Sequence, residues 1–252
     1  MSGTIGKAGP PAWPRFLPAG DGGLVVELGN AIDERISARV VALDRRIADA
    51  AIAGVLETVP TYRSVLVMYE PLVIRAHALV DRIADLISHE EASAGEERSW
   101  VFPVAYGGDY GMDLDFVARA HDLTSEEVVR IHCQAEYRVY MIGFTPGFSY
   151  LGGLPPALAT PRRTDPRART PAGSVSLGGI QAAIHSIEAP SGWHMLGRTP
   201  VRLFDLARDP PFLLEVGDRV RFTPIPPAEL ARLALLVEKG AIVAECTTGP
   251  AA

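Results

Sequence analysis

The spacing of apolar positions changes along the chain, and each change predicts a different kind of structure. Gly23–Leu28 (GLVVEL) is a short apolar run bounded by glycine and predicts a buried strand. Within Ala31–Ala51, the residues Ile32, Ile36, Val40, Leu43 and Ile47 recur at three- and four-residue steps, the spacing of one helix face. Asn30 or Asp33 can cap this helix, because a short side-chain oxygen there accepts from the first free N–H groups. Two strands follow, Gly54–Val59 and Ser64–Tyr69, around a Pro60–Arg63 turn. Ala76–Ser88 is again helical, with Leu79, Ile83, Leu86 and Ile87 on one side. The order strand, helix, strand, strand, helix is one strand short of the split βαβ, ferredoxin-like arrangement.

His89–Ser99 is polar and charged and predicts a boundary between domains. Beyond it, Trp100–Tyr106 reads as a strand, and Asp113–His121 and Ser125–Ala135 as short helices. Thr124 stands three residues before Glu127, the spacing of a capping box. From Tyr137 the apolar runs shorten and Gly or Pro interrupts every few residues. Helical periodicity returns only at Pro227–Lys239. Many short strands between turn signals predict a closed or sandwiched β domain. The expected organisation is an α/β domain over residues 15–95, a β domain over 100–225, and a C-terminal helix and tail over 226–252. Residues 1–14, rich in Gly and Pro, are expected to be loose.

A length of 252 residues with 48% hydrophobic and 21% charged side chains fits an ordinary globular chain with a sizeable core. The net charge of −6 argues against nucleic-acid binding. Only Lys7 and Lys239 are lysines; the other 22 basic residues are arginines. No G-x-x-x-x-G-K-[ST] segment exists, so the chain carries no P-loop of its own. Cys133 and Cys246 are too isolated for a disulfide framework or a CxxC zinc site. The N-terminus lacks the apolar run of a signal peptide, and no run approaches the ~18 residues of a membrane span, so a cytoplasmic protein is expected.

Charge becomes informative in Tyr140–Asp205. This stretch holds six arginines against three acids (Asp165, Glu188, Asp205), a net +3. Arg162, Arg163, Arg167 and Arg169 crowd into eight residues fenced by Pro161, Pro166 and Pro171. Proline stiffens such a run and keeps the guanidinium groups together, which suits an anionic ligand; a solvated basic loop has the same composition. Gly143–Gly153 and Gly173–Gly179 let backbone N–H groups approach a ligand, or are simply rich in turns. His185 and His194, nine residues apart, do not form a zinc motif, and no metal site is expected. There is no G-x-S-x-G elbow. Asp109, Asp113 and Asp115 lack the EF-hand pattern and are expected to serve turns and a helix start.

Four ordered blocks carry a resemblance: YGGDYG (Tyr106–Gly111), GFTPGFSYLGGLP (Gly143–Pro155), TPRRTDPRARTPAGSVSLGG (Thr160–Gly179) and GWHMLGRTPVRLFD (Gly192–Asp205). Together they resemble the allophanate hydrolase subunit 1, or carboxyltransferase C/D domain, family over about residues 15–225. That family embraces 5-oxoprolinase B-type subunits and a histidine-kinase inhibitor. The resemblance implies an α+β fold: a small ferredoxin-like α/β domain, then a cyclophilin-like β-barrel. It implies a subunit of an ATP-dependent lactam hydrolase that opens 5-oxoproline to glutamate, working with a carboxyltransferase-like partner of the allophanate hydrolase subunit 2 type and a third subunit. ATP, with Mg, would lie at a shared or partner site. The alternatives are a subunit of a biotin-dependent urea or amide carboxyltransferase or allophanate hydrolase-type system, and a non-catalytic kinase inhibitor.

Both chemistries require a planar amide to be held and its developing charge to meet fixed donors. On the family blocks, Arg162, Arg169 and Arg198 would clamp carboxylate or phosphate. Backbone N–H groups around Gly147 and Gly178, with Ser174, would bind the same anions. Gln181 would hold the amide, having both donor and acceptor. His185 would transfer protons, as the one nearby group with an ordinary pKa near neutrality. One block departs from the family pattern: where many members read Gln-Thr-Gly-Ile-Tyr-Pro, this chain has Gln181-Ala182-Ala183-Ile184-His185-Ser186.

Overall fold

The computed structural model describes residues 13–88 and 96–250. They fall into two compact units, one within residues 1–93 and one within 94–252. The expected loose N-terminus lies largely, at residues 1–12, outside the described residues, as do residues 89–95 of the polar link at His89–Ser99. The last four residues of that link open a strand.

The first unit runs β1 (Arg15–Pro18), β2 (Gly23–Glu27), α1 (Glu34–Asp49), β3 (Val55–Pro60), β4 (Ser64–Tyr69) and α2 (Ala76–Ser88). Its sheet is antiparallel throughout, in the order β1-β2-β4-β3. The strand missing from the ferredoxin-like order is therefore supplied at the N-terminus: β1 pairs with β2, Arg15 opposite Glu27. Asp33, not Asn30, caps α1, accepting from the N–H groups of Arg35 (2.9 Å) and Ile36 (3.1 Å). The apolar stripes of both helices (Val40, Leu43 and Ile47; Leu79 and Ile83) bury against Leu24, Val26, Val65 and Val67.

The second unit opens with β5 (Glu96–Tyr106), α3 (Leu114–Ala120) and α4 (Ser125–Gln134). The capping box at Thr124 and Glu127 forms as its spacing predicts. Then come β6 (Tyr137–Ile142), β7 (Ser149–Gly152), β8 (Arg167–Thr170), β9 (Ser174–Gly178), β10 (Gln181–Ile184), β11 (Ala189–Ser191), β12 (His194–Arg198) and β13 (Arg219–Pro224). The chain ends with α5 (Pro227–Glu238) and β14 (Glu245–Pro250). Strands β12-β9-β10-β7-β6-β13-β5 form one sheet that closes on itself, since Gly197 and Arg198 of β12 pair back onto Tyr106 and Ala105 of β5. The other end of long β5 takes β14 on the same flank, Cys246 opposite Trp100. The fold is thus α+β with a closed barrel, as the resemblance implies.

Strand alternation sorts the barrel's side chains. Val139, Leu151, Val175, Leu177, Ala182, Ile184, Phe102 and Phe222 join one buried core, sealed by Leu114, Val117 and Val128 of α3 and α4. Alternate residues of β7, β9 and β10 therefore face outward, and the candidate chemistry lies there. Near the start of β5, Asp218 is buried and accepts from Arg98 (Nε 2.9 Å, Nη2 2.7 Å) and Trp100 Nε1 (3.0 Å), which ties the strand to the turn before β13.

Candidate functional site

Outward residues of three adjacent strands build one surface. Ser174, Ser176 and Gly178 come from β9, Gln181 and Ala183 from β10, and Tyr150 from β7. Their registers place Gly178 opposite Gln181, Ser176 opposite Ala183, and Ala183 opposite Tyr150. Gly178 and Ala183 are small for a reason: a Cβ at 178 would lie 2.5 Å from Cδ2 of Trp193. The space they leave is filled by a satellite cluster of Phe148, Trp193 and half-buried Tyr150, separate from the barrel core. The rings meet edge to face, Phe148 to Tyr150 at 4.7 Å and Tyr150 to Trp193 at 5.9 Å between centroids. The Arg162 guanidinium sits 5.4 Å from the Trp193 ring centroid, a cation–π contact. Burial pushes the Tyr150 phenol pKa up, against the opposing charge of Arg162.

His185 continues the line of β10. Its N–H donates to Ser174 O (2.9 Å) and its carbonyl accepts from Gly173 N–H (2.7 Å). The imidazole is fully buried, edge-on to Phe148 at 4.8 Å, with Nε2 3.0 Å from Ser176 Oγ. Burial lowers its pKa to about 4, so the ring is neutral at pH 7 and shares a hydrogen bond with Ser176 rather than titrating there. Its Nδ1 has no partner among the described residues. Ser186 donates to Pro146 O at 2.5 Å and so joins this segment to the Gly147 loop.

The four clustered arginines separate into two kinds. Asp113, buried, receives Arg167 in a two-pronged pair (Nη1–Oδ2 and Nη2–Oδ1, both 2.7 Å), Arg163 Nη1 at 3.2 Å and the Met195 N–H at 2.8 Å. Those two arginines therefore hold the loop to the barrel. Asp113 does begin α3, but its side chain makes no cap; the expectation of a helix-start role missed this long-range pair. Of the anion-clamp candidates, Arg162 lies on Trp193. Arg198 is half-buried on β12 opposite Ser174, its Nε donating to Ala172 O (2.9 Å). Arg169 is 80% exposed and paired with Glu188 at 2.7 Å.

Ser174, Gly178, Gln181, His185, Arg198 and, through Trp193, Arg162 are brought to one face. Gly147 adjoins it through Ser186, and Arg169 stands at the pairing of β8 with β11. Ser174 is fully buried and its hydroxyl donates to Pro171 O (2.7 Å), so the proton that would bind an anion is engaged within the chain. Ser176, Phe148, Tyr150 and Trp193 were not read from the sequence as site residues; the two-residue alternation of β9 was the available signal for Ser176, and that of β7 for Tyr150. His194 serves structure: Nε2 is 2.9 Å from Pro161 O and the ring stacks on Phe116 at 4.8 Å. A different cavity, of about 550 Å³, lies along α4 against Tyr106, Val129, Cys133 and Pro224, and none of the candidate residues lines it. Among the described residues no group of three His, Cys, Asp or Glu side chains could hold a metal.

Residues 14–214 match the family described as carboxyltransferase domain, subdomain C and D. The chain belongs to that family. The B-type subunit of the 5-oxoprolinase of Bacillus subtilis is 36% identical over 220 residues, which cover 82% of this chain and 90% of that protein. Among solved structures, TTHA0988 superposes with a TM-score of 0.73 at 36% identity over 81% of this chain; the match spans only 40% of that longer chain. The urea amidolyase of Kluyveromyces lactis superposes with a TM-score of 0.78 over 93% of this chain and 16% of its own, at 23% identity, a likeness of fold. No helix among the described residues of this carboxyltransferase-family chain is long and apolar enough to cross a membrane.

Proposed function

We propose that this chain is the B-type subunit of a cytoplasmic 5-oxoprolinase, which holds the cyclic amide while it is opened to glutamate. The observation that carries this reading is the likeness to the Bacillus subtilis protein over 82% of the chain. The chemistry of the surface supports it. 5-Oxoproline presents a carboxylate and a flat lactam. Arg198 and Arg162 offer guanidinium groups for the carboxylate, Gln181 offers a donor and an acceptor for the amide, and Tyr150 beside Trp193 gives a flat apolar flank. Phe148 N–H and Gly179 N–H are bonded to Thr145 O and Thr160 O, so donors for an oxygen that gains negative charge would come from the other backbone N–H groups of these two Gly-rich segments. Neutral His185 and Ser176 form a fully buried hydrogen-bonded pair behind this surface, through His185 Nε2 and Ser176 Oγ at 3.0 Å.

ATP would supply the phosphoryl group that activates the amide oxygen. The described residues offer no carboxylate cluster for its Mg, so the metal would take ligands from phosphate, water or a partner. We place nucleotide binding at a site shared with, or held by, a carboxyltransferase-like partner subunit, with a third subunit completing the enzyme. The departure at Ala182–Ser186 favours, as a second reading, a biotin-dependent carboxyltransferase subunit acting on a different amide. Co-expression with the other subunits, followed by assays for glutamate from 5-oxoproline and for biotin-dependent carboxylation, separates the two.

A further inference from the structure

Three loops meet beside the candidate site and carry exposed apolar side chains. In the first, Phe144 adopts φ +69° and is 64% exposed. A bulky aromatic residue seldom takes this left-handed conformation, and such strain is held only where surrounding contacts impose it. Here Gly143 N–H donates to Phe148 O (3.1 Å) and Phe148 N–H to Thr145 O (3.0 Å), which closes the loop. The second loop follows His185 and exposes Ile187. The third runs from Arg202 to Phe212 and exposes Leu206, at 84%, and Phe212, whose ring packs 5.2 Å from that of Phe204. The three converge at Gly147: a Cβ there would lie 3.2 Å from Ser186 Cβ and 3.0 Å from Phe204 Cβ.

The third loop is not slack. Arg208 fastens it from within, its guanidinium donating to the carbonyls of Arg202 (3.1 Å), Leu203 (3.0 Å), Pro211 (2.8 Å) and Pro210 (3.3 Å). Asp205 adds an acceptor for Ala207 N–H (2.9 Å) and a pair with Arg202 (3.0 Å). A loop so bound, with Leu206 84% exposed, is preorganised to present that side chain. Contiguous exposed apolar groups rimmed by charge mark interaction surfaces.

We propose that this surface, Phe144, Ile187, Leu206 and Phe212, docks the partner subunit of the 5-oxoprolinase and brings it over the candidate site. The inference rests on the functional reading proposed for that site. Three observations select that occupant. The relative is named as one subunit of an enzyme. In TTHA0988 the matching domain is part of a chain more than twice as long, so protein continues beyond it. The surface is continuous with the site, since Phe144 packs on Phe148 (5.6 Å) and Phe148 on His185 (4.8 Å).

The test co-expresses the full chain with the other oxoprolinase subunits and measures their association and activity. Leu206→Asp and Phe144→Asp, alone and together, are expected to weaken association roughly 100-fold for the pair, with the thermal midpoint of the free chain unchanged. Leu72→Asp, at an 88% exposed position of the first unit, serves as control and is expected to bind as wild type. Wild-type association and activity in the double variant would overturn the docking surface while leaving the functional reading intact. Loss of a homodimer in the variants with retention of the subunit complex would assign the surface to a second copy and overturn the proposal. A wild-type chain that neither assembles nor supports turnover would overturn both.

Discussion

Arg167 grips both oxygens of Asp113 at 2.7 Å across 54 residues of sequence, and this pair divides the arginine cluster into structural and available members. Asp113→Asn should cost about 3 kcal/mol of stability, because it leaves two guanidinium groups without their buried partner. Urea denaturation measures it. Burial raises the Asp113 pKa, but hydrogen bonds from Arg167 and Met195 and the charges of Arg167 and Arg163 outweigh it and hold the carboxyl below its ordinary value. A depressed carboxyl pKa gives stability that is present above the unfolded value and lost as pH falls through the folded one. The acid limb of the stability curve below about pH 4 should therefore be shallower in Asp113→Asn.

Two buried histidines predict a second pH dependence. Burial lowers His132 to about 3 and His185 to about 4, from 6.5. Between those values and 6.5 the unfolded chain binds protons that the folded chain does not, so stability is full above about pH 6.5 and falls as pH drops. By about pH 5 each group has cost on the order of 2 kcal/mol. Chemical denaturation at about pH 7.5 and about pH 5 should show the loss, with a smaller difference in His185→Gln.

Gly178→Ala should drive the Trp193 ring from its seat, since the added Cβ would meet it at 2.5 Å. The expected cost is about 1–3 kcal/mol, with a shift of tryptophan emission to longer wavelength as the indole meets water. An unchanged spectrum would show that the aromatic cluster yields without moving Trp193.

Much of this fold was legible in the chain because its signals are local. Ala76–Ser88 shows its buried stripe every three or four residues, and Thr124 with Glu127 announces a helix start. β1 is four residues (RFLP) beside prolines, and β14 (ECTTGP) has no apolar alternation; both are strands only because a neighbour's edge pairs with them. The candidate site was legible as residue types in family blocks, not as geometry. Nothing near Asp113 in sequence points to Arg167, and an imidazole's pKa depends on burial that periodicity two residues long records only once the strands are placed.

Arg198→Ala should lower the activity of the assembled complex by roughly 100-fold, the scale of losing one charge-stabilising donor, with the folded chain intact. Arg163→Ala and Arg167→Ala should instead lower stability and leave the turnover of folded enzyme near wild type. Steady-state assays beside thermal melts on the same preparations distinguish the two classes. Equal turnover in wild type and Arg198→Ala would remove Arg198 from the site.

ATP hydrolysis in the reconstituted complex, measured with and without 5-oxoproline, tests the proposed function most directly. 5-Oxoproline is expected to stimulate hydrolysis and to yield glutamate only when this chain is present. A fully assembled complex in which 5-oxoproline changes neither ATP hydrolysis nor glutamate formation would contradict the proposed function.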